Sequence, residues 1–208
     1  PLARDPIPII SISFGYLAMI FVGKYIMRNQ KAFDLRRIMM IYNFFLICFS
    51  IFISLKTVIS ISTYRDYLSL HYKQRLRIED GPGFQMVLVH YLYLISKIIE
   101  FTDTLIFMLR KKNNQITLFH VFHHLSVFLI VWIQFKAVPG PPSLFIIFLN
   151  SIVHVIMYSY YFLAGLGPVV QKYLWWKKYI TLIQLVICLI IMYRLNSGFI
   201  IYMLFLFS

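Results

Sequence analysis

The sequence has few charged residues. Asp, Glu, Lys and Arg make up 13% of its 208 residues, and 61% are hydrophobic. A soluble domain carries about twice that share of charge, and a chain this apolar cannot keep its surface hydrated. The composition therefore excludes a soluble globular enzyme and predicts an integral membrane protein.

Acidic residues and cysteines are the scarcest. Seven Asp and Glu stand against twenty Lys and Arg, which gives a net charge of +13. In a membrane protein this excess indicates anionic lipid headgroups or an anionic substrate, and we expect no nucleic-acid partner. The two cysteines, Cys48 and Cys188, both lie in apolar runs. Buried thiols are more common there than a structural disulfide.

Linkers, low-complexity tracts and obvious repeats are also missing. We therefore predict one polytopic membrane domain over residues 1–208. The sequence starts without a methionine and stops inside an apolar run, so we expect the chain to continue beyond both ends.

Long apolar runs dominate what remains. A helix needs about 20 apolar residues to cross a bilayer. Six runs are candidate spans: Ile7–Ile26, Ile38–Ile59, Met86–Leu109, Ile116–Phe135, Ser143–Leu163 and Tyr179–Tyr193. A seventh begins at Phe199. Since the runs show no period-two alternation, they predict an all-α bundle of seven transmembrane helices rather than a barrel.

The loop charges predict an orientation. Loops 24–37, 110–116 and 164–178 hold eleven Lys and Arg and one acid, Asp34. The loops of the opposite side hold seven basic residues, and four acids dilute them. Because cytosolic loops carry the excess of basic residues, these three loops should be cytosolic and the N-terminus lumenal.

The third span contains an unusual polar stripe. Lys97, Glu100, Asp103 and Thr104, in the string KIIEFTDT, fall on one side of a helix. Ionisable groups are costly inside a bilayer, so each is a candidate functional residue. Two interpretations are open: an ion-pair stripe that locks neighbouring helices, or groups that orient histidines.

The next two spans supply the histidines. His120, His123 and His124, in the string HVFHH, occupy one face about 100° wide. On the fifth span His154 shares a face with three further polar residues, and the sixth span adds a neutral donor. These additional candidates are Asn150, Tyr158, Tyr161 and Gln184.

Clustered histidines are compatible with two kinds of chemistry. Several imidazoles can hold iron or zinc, as in the histidine boxes of membrane desaturases and hydroxylases. The directions of the adjacent His123 and His124 differ by about 100°, which suits separate roles better than one tight metal site. A neutral imidazole can instead attack a thioester or carry a proton.

Four ordered segments carry a family resemblance: KIIEFTDT, HVFHH, NSIVHVIMYSYY and GPVVQKYLWWKKYITLIQ. Together with LRKKNNQITLFHVFHH, they resemble the signature segments of the very-long-chain fatty acid elongases, which are 3-ketoacyl-CoA synthases of the endoplasmic reticulum. The resemblance covers about residues 23–184. The sequence departs from the family pattern at Ile187, where relatives carry a glutamine.

The resemblance implies a seven-helix fold that encloses an acyl tunnel. The implied reaction joins an acyl-CoA to malonyl-CoA, with release of CO2 and CoA. Its substrates are these two thioesters, and it needs no bound metal or other cofactor. CoA would enter from the cytosolic side, where its candidate ligands are Arg110, Lys111, Lys112, Lys177 and Lys178.

The implied condensation reaction also predicts a role for each residue of the site. His123 is the candidate nucleophile or base, flanked by His120 and His124, and His154 is its partner across the pocket. Glu100 and Asp103 would hold the imidazole tautomers, and Lys97 would balance their charge. We also expect the other enzymes of the elongation cycle as partners, with a homodimer as one option. The alternatives are a metal-dependent desaturase or hydroxylase and a non-catalytic lipid-binding protein.

Overall fold

A computed structural model describes residues 5–70, 81–137, 141–176, 178–180, 182–183 and 186. These residues form an all-helical structure. Its helices are α1 (Pro6–Met27), α2 (Arg36–Leu70), α3 (Gly81–Leu109), α4 (Leu118–Ala137), α5 (Pro141–Gly165) and the short α6 (Pro168–Gln171). A single 3-10 turn, Asn113–Gln115, lies between α3 and α4.

Proline and glycine mark the helix ends. Proline occupies the first turn of α1, α5 and α6, where its missing N–H has no intrahelical partner to lose. Gly167 separates α5 from α6 with φ +117° and ψ −175°. Only glycine adopts this conformation without strain, so Gly167 fixes the turn between the two helices.

Four of the described helices are long and apolar enough to cross a membrane. The segments are Pro6–Met27, Arg36–Thr63, Leu118–Lys136 and Ser143–Gly165. Large side chains remain exposed along them, for example Phe14, Phe21 and Ile41 at about 70%. Apolar surface of this extent suits contact with lipid rather than water. A multi-pass membrane protein is therefore confirmed, while the count of seven spans stays a prediction.

The polar helix α3 lies at the centre of the bundle and contacts α1, α2, α4 and α5. Its apolar residues Met86, Val89, Leu94 and Phe101 are buried in the core. The most extensive packing elsewhere is between α2 and α5. The stripe of Lys97, Glu100 and Thr104 is therefore enclosed by protein and not exposed to lipid.

The first five predicted spans coincide with α1 to α5. Two helices extend beyond the predicted spans, because α2 continues to Leu70 and α3 already begins at Gly81. Most of the sixth predicted span and all of the seventh lie outside the described residues, as do Lys177, Thr181, Gln184 and Ile187.

Candidate functional site

A cavity of about 690 Å³ opens among the helices. Its volume is typical of a small-molecule site. The mouth lies where α2 begins and α3 and α5 end, and it includes Asp34, Arg36, Arg110, Gly167 and Gln171. From there the cavity extends inward among α2, α3, α4 and α5.

All four candidate catalytic histidines line this cavity. His120, His123 and His124 come from the first turns of α4, and His154 comes from the middle of α5. With a rise of about 1.5 Å per residue, His120 lies only about 3 Å from the start of its helix, while His154 lies about 16 Å from the end of α5. The site therefore runs from the mouth well into the apolar layer.

On α4 the imidazole of His124 contacts the other two imidazoles. The ring centroids of His120 and His124 are 4.4 Å apart, and those of His123 and His124 are 5.5 Å apart. Helical periodicity correctly placed all three on the cavity face. The closer of the two ring contacts joins His120 to His124, and His123 contacts His124 at the longer distance.

Glu100 connects the polar stripe to His154. Its Oε1 lies 3.3 Å from Nδ1 of His154 and 2.9 Å from Nζ of Lys97. The lysine also donates to Oδ1 of Asn150 at 3.1 Å, and Tyr93 donates to the same oxygen at 2.8 Å. One carboxylate thus binds both the buried lysine and the imidazole, which fits the expected orienting role of Glu100.

The expected role of Asp103 is wrong. Its Oδ2 accepts a hydrogen bond from the hydroxyl of Tyr158 at 2.9 Å rather than from a histidine. The hydroxyl of Tyr42, on α2, donates to the carbonyl of Ile99 at 3.1 Å. Among the described residues, Asp103 therefore joins α3 to α5 through a tyrosine and not through an imidazole.

His120 is oriented by a hydroxyl. Oγ1 of Thr104 lies 2.9 Å from Nε2 of His120 and 3.0 Å from the hydroxyl of Tyr16. Thr104 had been expected only as a supporting residue, and it is the direct partner of this imidazole.

The tyrosines of α5 form a row of rings beside His154. Tyr158 packs edge-on against His154 with centroids 5.6 Å apart, and Tyr161 packs edge-on against Tyr158 at 6.1 Å. Tyr158 therefore contacts the imidazole, and Tyr161 extends the aromatic wall toward the mouth.

Of the predicted CoA ligands that the structure describes, Arg110 alone lines the cavity. It is held by a contact of 2.8 Å to the sulfur of Met39. Lys111, Lys112 and Lys178 are exposed outside the cavity lining. Lys177 and Gln184 lie outside the described residues.

Arg36 was not predicted as a site residue, because its charge contributed only to the predicted orientation of the protein in the membrane. Its guanidinium donates to the carbonyls of Gly165 and Leu166 at 2.8 and 2.7 Å, so it caps the end of α5 and lines the mouth. Tyr16, Tyr42 and Tyr93 were also missed. Each is one aromatic residue in an apolar helix, and the sequence pattern does not distinguish them from ordinary core residues.

His90 has a structural environment. Nδ1 lies 2.8 Å from the carbonyl of Met86, and Nε2 lies 2.7 Å from the hydroxyl of Ser143. The ring is 1% exposed and does not line the cavity. It ties α3 to the first turn of α5 and can serve as a matched control for the cavity histidines.

Comparison with known proteins supports the predicted resemblance. The model of the GNS1/SUR4 family, ELO, matches residues 1–207. Very long chain fatty acid elongase 1 of Mus musculus is 43% identical over 190 residues, which cover 89% of this chain and 66% of that protein. Elongase 4 of the same species is 39% identical over 186 residues, with coverage of 89% and 59%.

An insect relative gives the same result. Very long chain fatty acid elongase 7 of Drosophila melanogaster is 37% identical over 199 residues, which cover 92% of this chain and 58% of that protein. The chain thus spans about three fifths of the length of the curated relatives it matches. The family model nevertheless matches nearly every residue, and the predicted resemblance is confirmed: the chain belongs to the GNS1/SUR4 (ELO) family.

Proposed function

We propose that the protein elongates fatty acids as a very-long-chain 3-oxoacyl-CoA synthase, condensing a long-chain acyl-CoA with malonyl-CoA. The observation that carries this proposal is the convergence of His123 and His124 from α4 with His154 from α5 on one cavity. The printed names of the relatives, very long chain fatty acid elongases, support the same reaction class.

In the covalent form of the reaction, a ring nitrogen of His123 attacks the thioester carbonyl. The carbon–sulfur bond breaks, and the CoA thiolate leaves with the proton from the other ring nitrogen. Malonyl-CoA then loses CO2, and the enolate attacks the acyl-imidazole carbonyl. The carbon–nitrogen bond breaks, and the departing imidazole takes up one proton from water. The products are a 3-ketoacyl-CoA two carbons longer and neutral, free His123. In the direct form, the enolate attacks the acyl-CoA itself, the carbon–sulfur bond breaks, and His123 carries a proton to the departing CoA thiolate.

His154 would stabilise negative charge on the reacting oxygen. Glu100 lies 3.3 Å from Nδ1 of His154, so a protonated ring would donate its Nδ1–H to this carboxylate. Its second N–H would then donate to the thioester or enolate oxygen. A fixed donor in an apolar cavity is an effective way to lower such a barrier.

The basic mouth would receive the CoA portion. Arg110 lines the mouth, and the exposed Lys111, Lys112 and Lys178 would meet phosphates that extend beyond it. This arrangement requires loops 24–37, 110–116 and 164–178 to be cytosolic and the N-terminus to be lumenal in the endoplasmic reticulum membrane. The complete protein would have seven spans around an acyl tunnel. We also propose that it works with the other enzymes of the elongation cycle.

The metal-dependent alternative has less support in the described part of the chain. There the His, Cys, Asp and Glu side chains form no group of three or more suited to a metal ion. The other alternative, a non-catalytic lipid-binding protein or carrier, has the same cavity but predicts that an acyl chain binds there without turnover. The two alternatives therefore differ from the proposal in measurable ways.

The test is incorporation of radiolabelled malonyl-CoA with acyl-CoAs of increasing length, using membranes that lack other elongases. We expect labelled 3-ketoacyl products from the wild type, loss of label in His123→Ala, and retained label in His90→Gln. The last variant removes a histidine outside the cavity. A lack of product with every acyl chain would favour a carrier, and a requirement for stoichiometric iron would favour a desaturase or hydroxylase.

Mass spectrometry separates the two forms of the reaction. Protein incubated with acyl-CoA alone should carry the acyl group on the peptide that contains His123 if the reaction is covalent. Sequential kinetics together with an unmodified peptide would instead assign the direct condensation.

A further inference from the structure

Tyr16 reaches the site from a helix that contributes no residue to the described cavity lining. The residue lies on α1, is 3% exposed, and stacks on Phe101 with ring centroids 4.1 Å apart. Its hydroxyl is 3.0 Å from Oγ1 of Thr104, which is 2.9 Å from Nε2 of His120. Two hydroxyls in series therefore connect α1 to a cavity imidazole.

Only one direction of hydrogen bonding satisfies all three groups. A buried phenol hydrogen needs an acceptor, and within the described residues Oγ1 of Thr104 is the partner of the Tyr16 hydroxyl. If Tyr16 donates to Thr104, the threonine hydroxyl can donate to Nε2 of His120. The reverse direction would leave the Tyr16 hydrogen buried without an acceptor.

We propose that Tyr16 is a positioning residue that fixes neutral His120 as the Nδ1–H tautomer. With Nε2 occupied by the threonine hydroxyl, His120 cannot attack a thioester or accept a proton through that nitrogen. Its remaining role is that of an Nδ1–H donor next to His124, whose ring centroid is 4.4 Å away. The nucleophile or base must then be found among the other cavity histidines.

The catalytic consequence rests on the proposed function, and kinetics test it. Tyr16→Phe keeps the ring on Phe101 and removes only the hydroxyl. We expect kcat to fall about three- to tenfold, with an altered pH profile and an unchanged KM for malonyl-CoA. Thr104→Ser should retain activity because it keeps the hydroxyl. Tyr25→Phe, on the exposed side of α1, is the matched control.

The hydroxyls of Tyr16 and Thr104 should affect kcat through the same chain of hydrogen bonds. Thr104→Val breaks the chain at its middle, so adding Tyr16→Phe to that variant should cause no further loss of kcat. A multiplicative loss in the double variant, or a normal kcat and pH profile in Tyr16→Phe, would overturn the proposal. Loss of thermal stability without a change in kcat would also overturn it.

The tautomer can be measured without turnover. In the full chain with 15N-labelled histidine, reconstituted in detergent, Nε2 of His120 should give an unprotonated, pyridine-type signal, assigned by its absence in His120→Gln. Tyr16→Phe should mix the two tautomers. A protonated Nε2 in the wild type would overturn the proposal. An inactive protein with the expected signal would refute the proposed function and leave the Tyr16 assignment intact.

Discussion

The buried pair of Lys97 and Glu100 should behave as one energetic unit. The two residues are 3% and 4% exposed, and Nζ of the lysine contacts both carboxylate oxygens at 2.9 and 3.2 Å. Removing one partner leaves the other charge buried and without its counter-ion. Breaking a buried pair in this way costs about 3–5 kcal/mol. We therefore expect Lys97→Met and Glu100→Gln each to lower the free energy of unfolding by that amount.

The double variant separates stability from activity. Lys97→Met/Glu100→Gln removes both charges at nearly constant volume, so its stability should return to within about 2 kcal/mol of the wild type. The two substitutions should thus be coupled by at least about 4 kcal/mol. Activity should stay reduced about tenfold or more, because no carboxylate remains at Nδ1 of His154.

Unfolding in detergent and incorporation of labelled malonyl-CoA measure the two properties on the same preparations. Lys136→Met is the control: this lysine is exposed over the ring of Trp132, and its loss should change stability by no more than about 0.5 kcal/mol. Additive losses in the double variant would refute the paired description. Full activity in the double variant would refute the role of Glu100 at His154.

Three further predictions concern other contacts of the site. Tyr158→Phe should cost about 1–3 kcal/mol of stability, measured by thermal unfolding, because Asp103 loses a buried donor; Tyr160→Phe should be nearly neutral. Gly167→Ala should cost about 1–3 kcal/mol at φ +117°, whereas Gly15→Ala, with no neighbour within 4 Å, should be neutral or stabilising. Arg36→Met should lower product formation by freeing the end of α5 at the mouth, and increased proteolysis near Gly165 would report it. A normal rate with intact protease resistance would contradict this last prediction.

The sequence correctly predicted which side chains of a single helix share one face. The angular positions of His120, His123 and His124 depend only on helical periodicity, and the structure places all three on the cavity face. The same holds for Asn150 and His154 on α5. These relations are local, so they can be calculated before any packing is known.

Relations between helices were not predictable in the same way. Glu100 and Asp103 lie three residues apart on one stripe, yet the first contacts His154 and the second Tyr158. The difference depends on the rotation and height of α5 relative to α3, which no property of a single helix determines. Tyr16 and Arg36 were missed for the same reason, since their partners are 88 and 129 residues away.

The packing order of the helices explains why the histidines have a cavity to face. In the described structure α4 packs on α3, and α5 packs on α2, but α4 and α5 are not among the closely packed pairs. Helices adjacent in sequence usually pack together, so the gap between α4 and α5 is a departure from the usual arrangement. His120, His123 and His124 line the cavity from α4, and Asn150 and His154 line it from α5. Direct packing of α4 on α5 would bury these side chains against each other, so the space between the two helices is what leaves the histidines open to a substrate.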